Sequence, residues 1–498
     1  MNMKVRYVAL ICTGIALFSV GGYLLLSNKS ESKTGQLGQQ LSSAKKPSKS
    51  ILFFGNPLLD LMKNTGLEYI LSHDLKGESE EFAFTLAGFS ETKQELLRDL
   101  ARDETVERVA GGASQNSARV TSYISNRLGE PIDVAYTGCV GKDELAECMR
   151  TCCEESKVTP LYQITEESET GLCGCCFYAE DAATLERLGY EGKGTGRTLV
   201  TCLEAAGKFS EDQFDEALLE KYEAFYTEGF FIPTSFNTLM KAAKHAQANN
   251  KPFVLNLSSA FLIPFIYEQF VQLIPYATLV FGNELEFPAF WSKVDEKGGL
   301  NLNTPTEGWT FETFSKALGE LTTGEVPRGR SVVITRGTDP AVAYDNVTGE
   351  VAFYPIFPLI DPALFKDTNA AGDSFVGGFL SALAAGLPLP LAMERAAFAA
   401  GLIVQMRGCS FPKSETEFRT ISDNLRLSDY IKNLLPQVTA QPAAAEQVNS
   451  AERVTGAERV AAAEQVTEVK TLNVVREDAT DVKTTSFVRE DEGSTDDE

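Results

Sequence analysis

Histidine is nearly missing from this chain of 498 residues, with only His73 and His245 present. Two imidazoles leave no room for a His-rich metal centre or a constellation needing several of them; each reads as an ordinary surface or core residue. Positive charge is scarce too. Lys and Arg number 45 against 69 Asp and Glu, a formal net charge of −24, which argues against a nucleic-acid partner because phosphate contacts need clustered basic side chains. A Walker phosphate loop is also lacking. Its nearest imitation, Gly189-Tyr-Glu-Gly192-Lys193-Gly194-Thr195, has Arg187 where the first glycine belongs and Gly194 where Ser or Thr must meet magnesium.

Cysteine is plentiful, ten in all, with Cys152 and Cys153 adjacent and Cys173, Cys175 and Cys176 crowded together. The cluster matches neither a zinc knuckle nor a Cys-x-x-Cys redox pair, and its flanks read as a strand. Buried free thiols in a reducing compartment account for it better than disulfides or a metal. One long hydrophobic run stands near the start. Tyr7 to Leu26 carries no charge over twenty residues, enough to span a bilayer, and the lysines on either side orient the body of the protein to the cytosol by the positive-inside rule. The expectation is a single-pass membrane anchor, with a secretory signal peptide as its rival.

Composition divides the chain into 1–30, the hydrophobic anchor or signal segment; 31–49, a Ser- and Lys-rich linker; 50–436, a catalytic domain; and 437–498, a tail. In the tail 14 Asp and Glu face 6 Lys and Arg, and Ala-Glu-(Gln/Arg)-Val recurs at 445, 451, 457 and 463. A six-residue period drifts around a helix and keeps no apolar seam, so the tail reads as disordered. Between linker and tail, apolar strands such as Ile51–Phe54, Ile132–Thr137, Phe253–Leu257, Thr278–Phe281 and Val332–Thr335 alternate with helices such as Gln115–Asn126, Ser235–Ala248 and Ala371–Ala385. Alternation of this kind predicts an α/β fold, a largely parallel sheet flanked by helices. Its chemistry belongs at the carboxyl ends of the strands.

Asp367-Thr-Asn369-Ala370-Ala371-Gly372-Asp373 sets a carboxylate at a small-residue turn directly before an apolar helix. Residues without bulk let backbone N–H groups approach an anion at the positive helix end, and Asp373 sits where it can take a proton from a hydroxyl. Phosphoryl transfer needs little more than such donors, a metal ion and a base. An ordinary helix start has the same appearance. Other turns repeat that ambiguity. Asn56 and Asp60 follow the first strand, where an ionised Asp suits two vicinal hydroxyls; Gly111-Gly112 before Asn116 lets a ligand lie on the backbone. Asn283 and Glu286, three apart, can order water around magnesium, and Thr335 and Gly337 end a strand with a turn where a nucleotide can rest. Singly, each is also a common structural turn.

Taken in order, Gly55-Asn-Pro-Leu-Leu-Asp60, Gly111-Gly-Ala-Ser-Gln-Asn116, Thr137-Gly-Cys-Val-Gly-Lys-Asp143, Gly229-Phe-Phe231, Leu255-Asn-Leu-Ser258, Phe281-Gly-Asn-Glu284, Asp367–Asp373 and Arg407-Gly-Cys-Ser-Phe-Pro412 resemble the PfkB (ribokinase-like) carbohydrate kinase family. The nearer likeness is to its adenosine-phosphorylating branch. The resemblance implies a ribokinase-like sheet with a small β-rich lid, and transfer of the ATP γ-phosphate to the 5′-hydroxyl of adenosine, with Mg²⁺, in purine salvage. It implies Asp373 as base, the N–H groups of Ala370, Ala371, Gly372 and Asp373 as an anion hole, and Arg197 near the phosphates. Asn56, Asp60, Gly112 and Asn116 would hold the ribose and Phe231 and Phe261 flank the purine. Asn283 and Glu286 would organise magnesium, while Thr335, Gly337 and Asn369 would lie near ATP. Ala370 departs from the usual glycine but keeps its N–H, and 179–196 looks like an insertion ahead of Arg197. Another nucleoside or sugar kinase and an idle kinase-like scaffold are the alternatives.

Overall fold

A computed structural model describes residues 49–302, 308–321 and 329–435. The hydrophobic run Tyr7–Leu26, nearly all of the 31–49 linker and the repeat tail lie outside the described residues. The expectation of a membrane-anchored protein is corrected: among the described residues no helix is long and apolar enough to cross a membrane. The apolar helix Ala371–Ala384 has 14 residues, well short of the roughly 20 that a bilayer requires.

In chain order the strands are β1 (Ser50–Phe54), β2 (Leu58–Asn64), β3 (Glu80–Ala83), β4 (Glu107–Gly111), β5 (Asp133–Gly141), β6 (Val158–Thr165), β7 (Leu172–Ala179), β8 (Thr195–Cys202), β9 (Ala224–Glu228), β10 (Phe253–Asn256), β11 (Leu279–Asn283), β12 (Ser331–Arg336), β13 (Asp339–Asp345) and β14 (Glu350–Tyr354). Nine of them form one sheet in the order β14-β13-β12-β11-β10-β9-β1-β5-β6. From β12 to β6 every neighbouring pair is parallel; β13 and β14 extend the edge antiparallel. The other five form a lid sheet, β3-β8-β7-β2-β4.

β1 shows why the large sheet needs two helical layers. Its side chains alternate across the pleat, so Leu52 and Phe54 enter one core while Ile51 and Phe53 enter another. A strand apolar on both faces must be covered on both. Helices Ile232–Ala248, Ile263–Leu273, Glu286–Lys297 and Phe311–Glu320 contribute to the first core; Ala113–Arg127, Ala371–Ala384 and Leu389–Ile403 contribute to the second. The helix expected from Ser235 begins at Ile232 instead and breaks its helical backbone at Ser235 (φ −153°, ψ 66°). Pro233 hides that first turn from a periodicity reading, since proline fits a helix start without needing its missing N–H.

The chain leaves β1 for the lid, returns as β5 beside β1, and later builds outward from the other flank of β1 through β9. Strand order therefore reverses at β1. The carboxyl end of such a strand opens onto a crevice, and Asn56 stands there. Helix Ala371–Ala384 is set beside it by two glycines without side chains to hold the helices apart. A Cβ on Gly377 would lie 2.7 Å from the Val120 Cβ, and one on Gly378 2.4 Å from the Arg395 carbonyl oxygen.

Gly378→Ala must push helix Leu389–Ile403 away from the helix that carries Asp373. Overpacking of this sort costs about 1–3 kcal/mol. A urea titration is expected to show the midpoint falling accordingly; an unchanged midpoint would mean that the close approach is not what fixes these helices.

Candidate active site

The crevice at β1 continues into a cavity of about 370 Å³ between the strand ends and the lid. Its floor comes from the ends of β1, β9, β10, β11 and β12, its far wall from two helix starts, and its roof from β2, β3, β7 and β8. Of the residues expected at a site, Asn56, Asp60, Gly112, Asn116, Arg197, Phe261, Asn283, Glu286, Thr335, Asn369, Ala370, Ala371, Gly372 and Asp373 all line it. Phe231 does not. It is fully buried in the core beneath the sheet, against Phe54 and Phe209, while its neighbour Phe230 reaches the cavity and pairs with Phe261 at a centroid distance of 6.1 Å. Gly337 also lies off the lining, in the turn after β12 with φ +54°.

Glycines 111 and 112 each serve a close approach. A Cβ on Gly111 would fall 2.0 Å from Asp60 Oδ1, so only glycine leaves room for that carboxylate. Gly112 combines φ +87° with a Cβ position 2.3 Å from the Asn56 carbonyl oxygen, a backbone that side chains disfavour. Asn56 is itself braced. Its Nδ2 donates to the Phe230 carbonyl at 2.9 Å and its Oδ1 accepts from the Thr234 hydroxyl at 3.0 Å, leaving one amide proton and one lone pair for a ligand.

Asp373 occupies the first turn of helix Ala371–Ala384, and Asn116 Nδ2 donates to its Oδ2 at 3.0 Å. The turn before it is closed by Ala371 N–H donating to the Thr368 carbonyl (3.1 Å), which removes Ala371 from any anion hole. Among the described residues the N–H groups of Gly372 and Asp373 have no acceptor. A side chain on Gly372 would meet nothing within 4 Å, so space for an anion lies against those donors. Ala370 makes the turn possible with left-handed backbone, φ 60° and ψ 11°. Glycine takes that conformation freely, whereas alanine pays about 1–2 kcal/mol.

Arg197 on β8 spans the mouth of the site. Its guanidinium donates to Thr368 Oγ1 and lies 3.5 Å from Asp367 Oδ1. Asp367 in turn accepts from the backbone N–H groups of Asn369 (2.9 Å) and Gly408 (3.1 Å). The lid is thus tied to the loop that shapes the anion turn.

Four carboxyls converge here, and burial is the main reason each holds its proton more tightly than usual. Asp373 is pushed up to about 6, with Asn116 opposing the shift. Asp60 is raised to about 7 by burial and then by the charge of Asp373, with Arg119 opposing. Glu228 is raised to about 8 by burial and Asp373. Glu286 is raised to about 7 by burial, against the hydrogen bond from Asn283. That last pair is closed on itself: Asn283 gives Nδ2–H to Glu286 Oε1 (2.7 Å) and its backbone N–H to Oε2 (3.0 Å), while its own Oδ1 accepts two backbone N–H groups. Glu286 keeps a free lone pair on each oxygen; Asn283 Oδ1 is engaged.

Sequence reasoning missed Glu228, Phe230, Thr368 and the lid residues Glu80, Glu81, Phe82, Leu199 and Thr201, all on the lining. An acidic residue ending the apolar strand Ala224-Phe-Tyr-Thr-Glu228 was the one available signal. A turn with free N–H donors beside a carboxylate, under a lid that a basic residue fastens, is the equipment of a phosphotransferase. The chain belongs to the pfkB family of carbohydrate kinases, whose family model matches residues 82–417.

Within that family the chain is similar to adenosine kinases. Adenosine kinase 2 of Arabidopsis thaliana is 31% identical over 372 residues, 73% of this chain and 96% of the relative. The adenosine kinase of Saccharomyces cerevisiae is 30% identical over 370 residues, 74% of this chain and 98% of its own. Among solved structures, Anopheles gambiae adenosine kinase in complex with P1,P4-di(adenosine-5) tetraphosphate matches with a TM-score of 0.60 at 28% identity, over 74% of this chain and all 100% of the other. Schistosoma mansoni adenosine kinase in complex with adenosine and AMP matches with a TM-score of 0.58 at 25% identity, covering 74% of this chain and 99% of that one. The fold is the ribokinase-like one, a parallel-rich sheet with a lid.

Ala370→Gly is expected to raise stability by about 1 kcal/mol, the left-handed penalty less the extra freedom glycine has when unfolded. Thermal melts of the two proteins read the difference; a lower melting temperature in the glycine variant would show that the turn is not left-handed.

Proposed function

We propose that the chain phosphorylates adenosine, transferring the ATP γ-phosphate to the 5′-hydroxyl and releasing AMP and ADP, a step of purine salvage. The observation that carries this reading is the placement of Asp373: a half-buried carboxylate on the residue whose own N–H is free together with that of Gly372, facing the same cavity as Asp60 and the Phe230–Phe261 pair. Asp60 accepts from the two ribose hydroxyls, and Asn56 and Asn116 fix the sugar from either side. Phe230 and Phe261 flank the purine. The 5′-hydroxyl then lies toward Asp373, which takes its proton as the oxygen attacks phosphorus. Negative charge spread over the transferred phosphoryl group meets the N–H groups of Gly372 and Asp373, and Arg197 stands over the phosphates from the lid.

Thr335 and Asn369 border the part of the cavity left for the nucleotide. Oxygen donors suit a hard cation, and the unused lone pairs of Glu286 fit magnesium through water, with Asn283 orienting the carboxylate. When bound, Mg²⁺ supplies charge neutralisation at the phosphates of ATP. This chain's own acidic residues cannot do that.

Asp373→Ala removes the base and leaves the ribose and purine contacts. ATP-dependent AMP formation is expected to fall by at least about 10²-fold, while adenosine affinity by calorimetry changes little. Wild-type turnover in that variant would remove Asp373 from the mechanism.

The base must be ionised to act, and burial raises its folded-state value. Activity is therefore lost as pH falls: kcat/KM, which reports the free enzyme, should decline through an acid limb between about 6 and 7, the values to which Asp373 and Asp60 are pushed. A limb near 4, the ordinary carboxylate range, would contradict the desolvation of both groups.

A further inference from the structure

Beyond the kinase reaction, the lid gathers two thiols and a carboxylate at one point. Asp60 on β2 is the parallel partner of Cys173 on β7, and Cys175 follows two residues later on the same face. The donor atoms of Asp60, Cys173 and Cys175 all lie within 4.8 Å of one another, and all three residues are buried. Their two sulfurs are 3.8 Å apart. A tetrahedral zinc ion with Zn–S bonds of about 2.3 Å requires a sulfur–sulfur edge of about 3.8 Å, so the thiols already stand at the separation that a metal would impose. Thr201, across from Cys173 on β8, points its hydroxyl at the Cys173 sulfur from 3.3 Å. A hydroxyl so placed supports a sulfur that carries negative charge.

We propose that Asp60, Cys173 and Cys175 form a site for a thiophilic divalent cation of the zinc and cadmium class, and that its occupation closes the nucleoside subsite. Two thiolates and one carboxylate are a soft donor set that selects against magnesium. Binding expels the two thiol protons to solvent and changes no oxidation state. Asp60 and Cys173 line the cavity while Cys175 lies behind them, so the fourth tetrahedral position opens on the side where a nucleoside enters. The inhibitory half of the proposal rests on the reading of Asp60 as the ribose acceptor; cation uptake does not.

The test uses the full chain, reduced with a phosphine and free of nucleotide, titrated with Cd²⁺ in excess Mg²⁺. The thiolate-to-cadmium absorption band is followed together with bound cadmium after gel filtration. The expected result is a band that saturates at one equivalent and is suppressed at least tenfold by adenosine. Cys175→Ala, which leaves the cavity lining intact, should lose the band and the sensitivity of turnover to Cd²⁺ while keeping its metal-free turnover. Replacing Cys148 and Cys152 together by Ser, thiols on the separate helix Glu144–Glu155, should leave the band unchanged. A band absent from the folded wild type, or surviving in Cys175→Ala, would overturn the site. Should Cys175→Ala misfold, the wild type decides: uptake indifferent to adenosine in an enzyme that phosphorylates adenosine overturns the proposal. A chain that takes up the ion at Cys175 but turns over no adenosine would leave the cation site standing and remove the kinase reading.

Discussion

The hydrogen bond from Asn116 to Asp373, 3.0 Å long and joining positions 257 apart in sequence, is the contact on which the site depends. Each partner stands in the opening turns of a helix, and those helices touch because Gly377 lets the Val120 side chain reach the backbone. The bond alone does not set the geometry. Helix packing brings two positive helix ends to one place, and Asn116 then chooses the orientation of a carboxylate that would otherwise be repelled by its neighbours. Ser117, donating its hydroxyl to the Asp373 carbonyl at 3.1 Å, fastens the same junction from behind.

Around that junction the fold concentrates acids that water would normally solvate. Asp60, Glu228 and Glu286 are buried and Asp373 is half-buried beside them, and taking a charge out of water without a partner is costly. Only Asp60 has a cation, Arg119, opposing the shift. Burial therefore favours the protonated form of all four carboxyls. The same constraint explains the lid: Arg197 is the basic group bridging roof and floor at this point, and its partners Asp367 and Thr368 belong to the anion turn. Roof and turn are joined through one loop.

How much of this was legible in the sequence depends on how local each signal was. β1 and the helix from Ala371 could be read because a strand buried on both faces and a small-residue helix start leave local marks. Ala370 stood out only against the family's usual glycine; its left-handed backbone is why glycine would be the natural occupant. Phe231 was placed at the purine by its position in the family motif, yet in the 3-10 turn Gly229–Phe231 its ring enters the core and that of Phe230 the cavity. The roof residues left no such mark. Glu80, Glu81 and Phe82 acquire their role only when β3 pairs with β8, a contact between segments more than a hundred residues apart. The hydrophobic run near the start was the strongest local signal of all, and the expectation of a membrane-anchored protein built on it is withdrawn.

The central claim is that this cavity phosphorylates the 5′-hydroxyl of adenosine. It is tested most directly by incubating the purified chain with ATP, Mg²⁺ and a panel of adenosine, inosine and ribose, and separating the phosphorylated products. AMP is expected as the dominant product, with kcat/KM for adenosine well above that for the other two. Preferential phosphorylation of inosine or ribose, or no phosphorylated product from any of the three, would contradict it.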